Sequence, residues 1–235
     1  MTDGPALLAL QLHDSFLEQI GARRKRLPEL VPMQVARSEH DTWRAQRDAQ
    51  VALIEIAVAS IEASEVAGAE LDTKQARLEA QLKTIIAPRE AEALMHEIDA
   101  LKAKHSALDD VELAAMEQQA AADDVLATLA AAEPAIAARL ADAQATLDAA
   151  LGALAAEEAD VRATREAAHD ALSDADRTVY ADARRRHGSV GFCTLERHAC
   201  TGCHVDLSQV EYEQVVAESK VGLAECPHCG RSLVI

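Results

Sequence analysis

Apolar residues recur at seven-residue intervals along most of this chain, and that spacing restricts the fold more than any other feature. Leu71, Leu78 and Ile85 form one row, with Leu82 between them. Leu140, Leu147, Leu154 and Val161 form another, and Leu129, Ile136, Ala143 and Ala150 a third, offset by four residues. Two rows offset in this way are the paired core rows of a coiled coil. A helix from about Met33 to Ile85 rises ~1.5 Å per residue and spans roughly 75 Å. No small globule covers such a helix, so it requires a partner helix along its length. Only 2% of the 235 residues are aromatic, whereas alanine, leucine and glutamate abound. That composition belongs to long helices packed side by side.

The partner follows in sequence. Ile85-Ile86-Ala87-Pro88-Arg89 reads as a reversal near residues 85–89, and Leu94, Ile98, Leu101 and Leu108 resume the pattern. Leu53, Ile54, Ile56, Val58 and Ile61 form a denser apolar patch on the outgoing helix. A first, shorter helix from about Pro5 to Arg26 places Leu7, Leu8, Gln11, Leu12, Phe16 and Ile20 on one face. Pro28 and Pro32 then interrupt the chain, because proline in a helix interior removes a hydrogen bond and clashes with the preceding turn. Folding the chain at Ala87 sets Pro134 roughly opposite His40, a few turns from where Pro28 and Pro32 meet the other arm. Breaks near 28–32 and 134 therefore imply one shared bend in a long antiparallel hairpin, with a straight rod as the alternative. The same folding brings the first helix to residues 150–170 or beyond.

After Arg186 the composition changes. Cys200-Thr-Gly-Cys203 and Cys226-Pro-His-Cys229-Gly230 are two C-x-x-C pairs separated by 22 residues, the spacing of a structural zinc site. Each tight turn aims two sulfurs at one ion, about 2.3 Å away. Gly202 and Gly230 suit turns that need positive φ. Two disulfides or a redox dithiol are the competing readings. A redox C-x-x-C comes as one pair beside a βαβ pattern, which is absent from this sequence. Short β segments over 189–195 and 197–199, a helix within 207–219 capped by Asp206 or Ser208, and a last strand over 232–235 complete a zinc ribbon. The expected domains are a coiled-coil hairpin over 1–187 and a ribbon over 188–235, mainly α with a small β module. Cys193, beside Phe192, reads as a buried strand cysteine rather than a fifth ligand.

Four thiolates close a zinc shell, whereas catalytic zinc keeps an open position for water. The expected role of one zinc ion is thus structural. No Gly-rich phosphate loop, G-x-S-x-G or H-E-x-x-H occurs, so neither an enzyme nor a small-molecule substrate is expected. The net charge of −17 opposes general attraction to phosphate. Two basic clusters stand against it: Arg23, Arg24, Lys25 and Arg26, and Arg184, Arg185 and Arg186. Both read first as helix C-terminal charge. Brought together, they would also form a positive patch for DNA or RNA. His204, His228 and Arg231 adjoin the cysteine turns and are candidates for contact with a partner. The N-terminus lacks the basic and apolar regions of a signal peptide, and no stretch of eighteen apolar residues occurs. A cytoplasmic protein without a membrane span is expected, and cysteines clustered as metal pairs fit a reducing compartment.

These residues together resemble the bacterial C4-type zinc-ribbon proteins with an N-terminal coiled-coil hairpin. Leu7-Leu8-Ala9-Leu10-Gln11 with Leu27-Pro28-Glu29 is similar to the family's opening. Ala87-Pro88-Arg89-Glu90 with Leu94, Ile98 and Leu101 is similar to its central turn, and both C-x-x-C turns with Leu207, Arg231 and Leu233 to its ribbon. The resemblance implies zinc ligation by Cys200, Cys203, Cys226 and Cys229. It also implies a non-enzymatic protein that binds other proteins or nucleic acid, some relatives being associated with transcription factors or with flagellar and secretion machinery.

Overall fold

The computed structural model describes residues 2–235. Its elements are α1 (Gly4–Arg24), α2 (Leu30–Leu82), α3 (Pro88–Asp170), α4 (Asp174–His187), β1 (Phe192–Glu196), β2 (Ala199–Cys200), α5 (Gln209–Ser219), β3 (Ala224–Glu225) and β4 (Ser232–Val234). The protein is mainly α, a long helical hairpin with a small C-terminal sheet. By contacts it divides into two units, Val31–Gln144, and Met1–Leu30 with Ala145–Ile235.

In the first unit α2 runs antiparallel to α3. Ala36, Trp43, Ala57, Ser64 and Gly68 of α2 are buried, as are Ile98, Ala115, Ala122 and Ile136 of α3. Half-buried Leu71, Leu78, Leu82, Leu94, Leu101 and Leu108 extend these rows, as the seven-residue spacing predicts. Ile85 falls in the turn beyond α2. Alanine and glycine at so many seam positions let the helix axes approach closely. The His105 ring lies against Gly68, where a Cβ would meet Nε2 at 3.6 Å, an ordinary van der Waals contact. The apolar patch divides: Ile54 and Ile61 turn to the seam, while Leu53, Ile56 and Val58 are 49%, 65% and 36% exposed.

Pro134 does not break its helix, contrary to the sequence expectation, because α3 continues through it. Its missing N–H leaves the Ala130 carbonyl without its helical donor. At the seam, buried Trp43 of α2 donates Nε1–H to the Leu129 carbonyl of α3 at 2.9 Å. Pro32 is likewise tolerated, lying in the first turn of α2, where N–H groups have no helical acceptor. The break expected over 28–32 falls between Arg24 and Leu30.

In the second unit α1 packs against the C-terminal part of α3. Asp3 caps α1, accepting from Ala6 N–H at 3.0 Å, and Pro5 sits in its first turn. The buried face of α1 is Leu7, Leu10, Gln11, Asp14 and Ile20. Leu12 and Phe16, assigned to that face from sequence, are instead about half exposed. Leu147 and Leu154 are buried on α3. A second break separates α3 from α4, inside the stretch to 187 expected as part of the coiled-coil hairpin. Ser173 caps α4, accepting from Asp176 N–H at 3.1 Å, and Arg177 donates to the His169 and Asp170 carbonyls that end α3.

The sheet order is β2-β1-β4-β3. Two antiparallel hairpins, β1–β2 and β3–β4, join through parallel pairing of β1 with β4. Leu7, Leu10, Leu172, Tyr180, Ala183 and Phe192 form a core between α1, α4 and β1, in which the Tyr180 and Phe192 rings stack at 5.7 Å.

Two polar residues hold this core in register. Gln11 donates Nε2–H to the Phe192 carbonyl at 2.7 Å and accepts both Gly191 N–H and Phe192 N–H at 2.7 Å. Asp14 accepts from Arg165 at 2.7 Å, from the Tyr180 hydroxyl at 2.6 Å and from Arg184. Burial raises the Asp14 pKa, but the Arg165 and Tyr180 hydrogen bonds and the two guanidinium charges outweigh it and hold the pKa below the usual value. The stability it contributes is therefore present above its unfolded value of 3.8 and lost as pH falls through the folded one. Asp14→Ala is expected to cost about 3 kcal/mol in denaturant unfolding, since it strands buried partners of a charged network.

His105 crosses the hairpin, 3.2 Å from Asp72 and 3.1 Å from Asp109. The Asp109 hydrogen bond, then its charge and that of Asp72, raise the His105 pKa above 6.5. A raised histidine pKa stabilises fully below the unfolded value, and the effect is lost as pH rises through the folded value. The melting-temperature gap between wild type and His105→Ala should thus be largest near about pH 6 and shrink toward about pH 9.

Candidate metal centre

The two cysteine turns share one local geometry. In the first, His204 N–H bonds the Cys200 carbonyl at 2.8 Å, and Cys200 N–H bonds the Val205 carbonyl at 3.1 Å. In the second, Gly230 N–H bonds the Cys226 carbonyl at 2.8 Å, and Cys226 N–H bonds the Arg231 carbonyl at 2.8 Å. The residue after each second cysteine adopts positive φ, 57° at His204 and 69° at Gly230. The expectation for Gly230 holds. Gly202 serves a different need: a Cβ there would run into Cys193 Sγ.

The Sγ atoms of Cys200, Cys203, Cys226 and Cys229 all lie within 4.8 Å of one another. Cys203 and Cys226 are 3.9 Å apart at sulfur. Four ligands at about 2.3 Å from one ion in a tetrahedron stand about 3.8 Å apart. The donor set therefore fits one tetrahedral metal ion, and soft thiolates select zinc-like metals over hard cations. In the metal-free thiols burial pushes Cys226 up to about 12. Burial also raises Cys229, but the Arg231 backbone N–H, the Cys226 thiol and the Arg231 guanidinium bring it down to about 7.

Cys193 stands outside this group. It is buried on β1, and burial followed by its proximity to Cys200 pushes its thiol up to about 12. It belongs to the core beneath the turns, with Leu207, Val215, Ala224 and Leu233.

The candidate contact residues are largely engaged within the chain. Arg23 bonds Glu157 at 2.7 Å and Arg24 bonds Glu158 at 2.5 Å, both on α3. Arg184 pairs with Asp14 and Glu18, Arg185 with Asp182, and Arg186 with Glu225 at 3.3 Å. Lys25 and Arg26 are exposed at the end of α1. Arg231 clips the sheet, donating to the Val190 carbonyl at 2.8 Å and the Gly202 carbonyl at 3.1 Å. His228 lies 3.5 Å from Glu211, and His204 is exposed. Ser208, one of the two expected caps, closes a capping box with Glu211 on α5. His198 lies in the β1–β2 turn, its ring 4.4 Å from that of Tyr212.

Sequence reasoning set Gln11 on the packed face of the first helix without a role for it and passed over Asp14. Their signal was two polar residues, three apart, on the buried stripe that Leu7 and Leu10 begin.

A long antiparallel helical hairpin carrying a four-cysteine sheet module defines the class of this protein. The chain belongs to the family of the CT398-like coiled coil hairpin domain, which it matches over residues 10–188. That match covers the helices and ends before β1. The Mycobacterium tuberculosis protein Rv2229c is 26% identical over 97% of this chain and 94% of its own length. The structure of CT398 from Chlamydia trachomatis is similar with a TM-score of 0.77 at 18% identity, covering 97% of this chain and 95% of that one. A Mycobacterium smegmatis structure gives a TM-score of 0.76 at 20% identity, covering 99% and 98%. At these identities the structural likenesses speak to the fold. No helix of the described residues is long and apolar enough to cross a membrane.

Gly202→Ala forces Cβ against Cys193 Sγ and is expected to destabilise the module by about 1–3 kcal/mol, as overpacking does. Thermal unfolding of the variant checks it, with Gly222→Ala, where a Cβ meets nothing within 4 Å, as the control.

Proposed function

We propose that this protein is a non-enzymatic, cytoplasmic adapter that binds one structural zinc ion and uses its sheet module and the adjoining helices to hold a protein partner. The observation that carries this reading is the closed set of four sulfurs joining two turns of a sheet whose outer strands are two residues long. Such strands supply little core, and a structural metal contributes on the order of 10–16 kcal/mol to domains of this kind. Zinc held by four thiolates leaves no position for water or substrate. Cys200, Cys203, Cys226 and Cys229 would hold the ion, and the core around Leu207 and Val215 would seat the turns.

A protein partner is favoured over nucleic acid because Arg23, Arg24, Arg184, Arg185 and Arg186 already face carboxylates. A phosphate backbone would have to compete with these pairs on a chain of net charge −17. His204 and His228, exposed beside the cysteine turns, are the residues of the module placed to touch a partner.

Metal analysis of the purified protein should return one zinc per chain, and replacing all four cysteines by serine should abolish it. Affinity capture from native lysate should retrieve a defined protein whose recovery survives nuclease and is lost in the four-serine variant. Capture that persists after complete zinc removal would exclude the module as the contact surface. Recovery lost to nuclease would favour the nucleic-acid reading instead.

A further inference from the structure

Over residues 48–73 of α2 and 105–138 of α3 the hairpin carries no lysine or arginine. The two stretches lie side by side, since Glu39 pairs with Arg139 at 2.6 Å near one end and His105 lies 3.2 Å from Asp72 near the other. On one flank of this section large apolar side chains stand in the open. Val51 and Val58 each follow a seam residue, Gln50 and Ala57, and are 41% and 36% exposed. Met116 follows Ala115 of the facing seam, and Leu113 lies one turn before it; they are 52% and 57% exposed. Exposed Ala120 and Ala127 carry the Leu113 row back to the levels of Val58 and Val51. The strip runs between the levels of Asp48 and Glu65, about 26 Å of helix at 1.5 Å per residue. Carboxylates edge it on both sides. Asp48, Glu55 and Glu62 form the row beyond Val51 and Val58 on α2, and Asp110, Glu117 and Asp124 the row beyond Leu113 and Ala120 on α3. Glu65 and Asp123 stand in the strip's own rows. Among the described residues, only Asp48 of these carboxylates has an ion-pair partner, its neighbour Arg47 at 2.6 Å. The opposite flank also exposes Leu53 and Ile56, but Ala49, Ser60, Ala63 and Ala67 stand around them, so nothing there selects a charge.

We propose that this carboxylate-edged strip docks one helix of another protein, an amphipathic and cationic one, with large apolar residues along one stripe and lysine or arginine on both sides of it. An amphipathic helix laid in the groove between two others is a recurrent mode of recognition. The apolar stripe of the incoming helix would cover Val51, Val58, Leu113 and Met116, and methionine adapts its shape to such contacts. Its cations would reach the acidic rows on either edge while their alkyl stems lie over the alanines between. The sign of the charge selects this occupant over others. A phosphate backbone is repelled by both edges, and a second copy of the chain would bring the same carboxylates to face them. The strip lies wholly within the Val31–Gln144 unit. It is independent of the zinc site and of the contact proposed for the sheet module, so either reading can fail alone.

Fluorescence anisotropy of a labelled synthetic peptide, titrated with the full chain at low salt, tests it. The peptide is a leucine–lysine helix of about eighteen residues, the length the strip spans, with leucines on one stripe and lysines on both sides. Wild type should bind it saturably, and added salt should weaken the complex, since exposed charge pairs are screened. The triple variant Glu55→Gln, Glu62→Gln, Glu117→Gln should bind about tenfold more weakly, the sum of three exposed ion pairs. Leu113→Ser with Met116→Ser should also weaken binding, with unchanged circular dichroism because both side chains are exposed. Glu90→Gln, Glu92→Gln and Glu97→Gln, nearer the hairpin turn, remove the same charge and should leave binding at the wild-type level, as should Ile56→Ser on the opposite flank. Absence of binding overturns the proposal. So does equal binding of a scrambled peptide of the same composition, which would mean charge alone, or of the peptide with glutamine for lysine, which would mean apolar contact alone. Equal loss in the distant triple variant overturns it too, as does a wild type that pairs with itself through Leu113 and Met116 in sedimentation equilibrium.

Discussion

A carboxylate and a carboxamide on α1 hold together the unit that carries the cysteine turns. Asp14 is buried with its charge and survives because Arg165, Tyr180 and Arg184 all donate to it. Those donors come from α3 and α4, so one ionised group fixes three helices at once. One turn away, Gln11 bonds the main chain of Gly191 and Phe192 as a neighbouring strand would. It does so where β2, which pairs only with Leu195 and Glu196, is too short to reach. A purely apolar stripe could bury α1 equally well, but hydrogen bonds of this kind allow only one rotation and one height of the helix.

The rest of the architecture follows from economy of side-chain volume. Ala57, Ser64, Gly68, Ala115 and Ala122 at the seam bury little apolar area each, at roughly 25 cal/mol per Å². Stability on such a seam accumulates through length, and specificity comes from the few residues that differ. Trp43 is buried at the seam and donates across it to the Leu129 carbonyl of α3. His105 lies against Gly68 and bridges Asp72 and Asp109. The sheet module solves the same problem in the opposite way. Its outer strands are only two residues long, and four sulfurs converge above a small core of Leu207, Val215, Ala224 and Leu233.

The hairpin was legible in the sequence because periodicity is a sum over many residues. The rows through Leu71 and Leu78, and through Leu147 and Leu154, lie where their spacing puts them. The cysteine turns were legible because their chemistry is local. What escaped was tertiary compensation. Pro134 removes a hydrogen bond from an isolated helix, yet an 83-residue helix held along a partner continues through it. The face of α1 was drawn around Leu12 and Phe16 because they outweigh Asp14 in hydropathy, whereas the partner surface selects Asp14. The end of α3 was missed although Ser173-Asp174-Ala175-Asp176 carries a cap and first-turn acids, since the alanine-rich pattern continues on both sides.

The helices position the four-cysteine module through α1, and an ion held by its sulfurs would keep the module folded. The claim that Gln11 fastens β1 to the helices is tested most directly by amide hydrogen exchange at Gly191 and Phe192, followed by NMR. Both N–H groups should exchange as slowly as the core amides of α1 in wild type. In Gln11→Ala they should exchange orders of magnitude faster while α3 amides keep their protection. Rapid exchange of both amides in the wild-type protein would contradict the account.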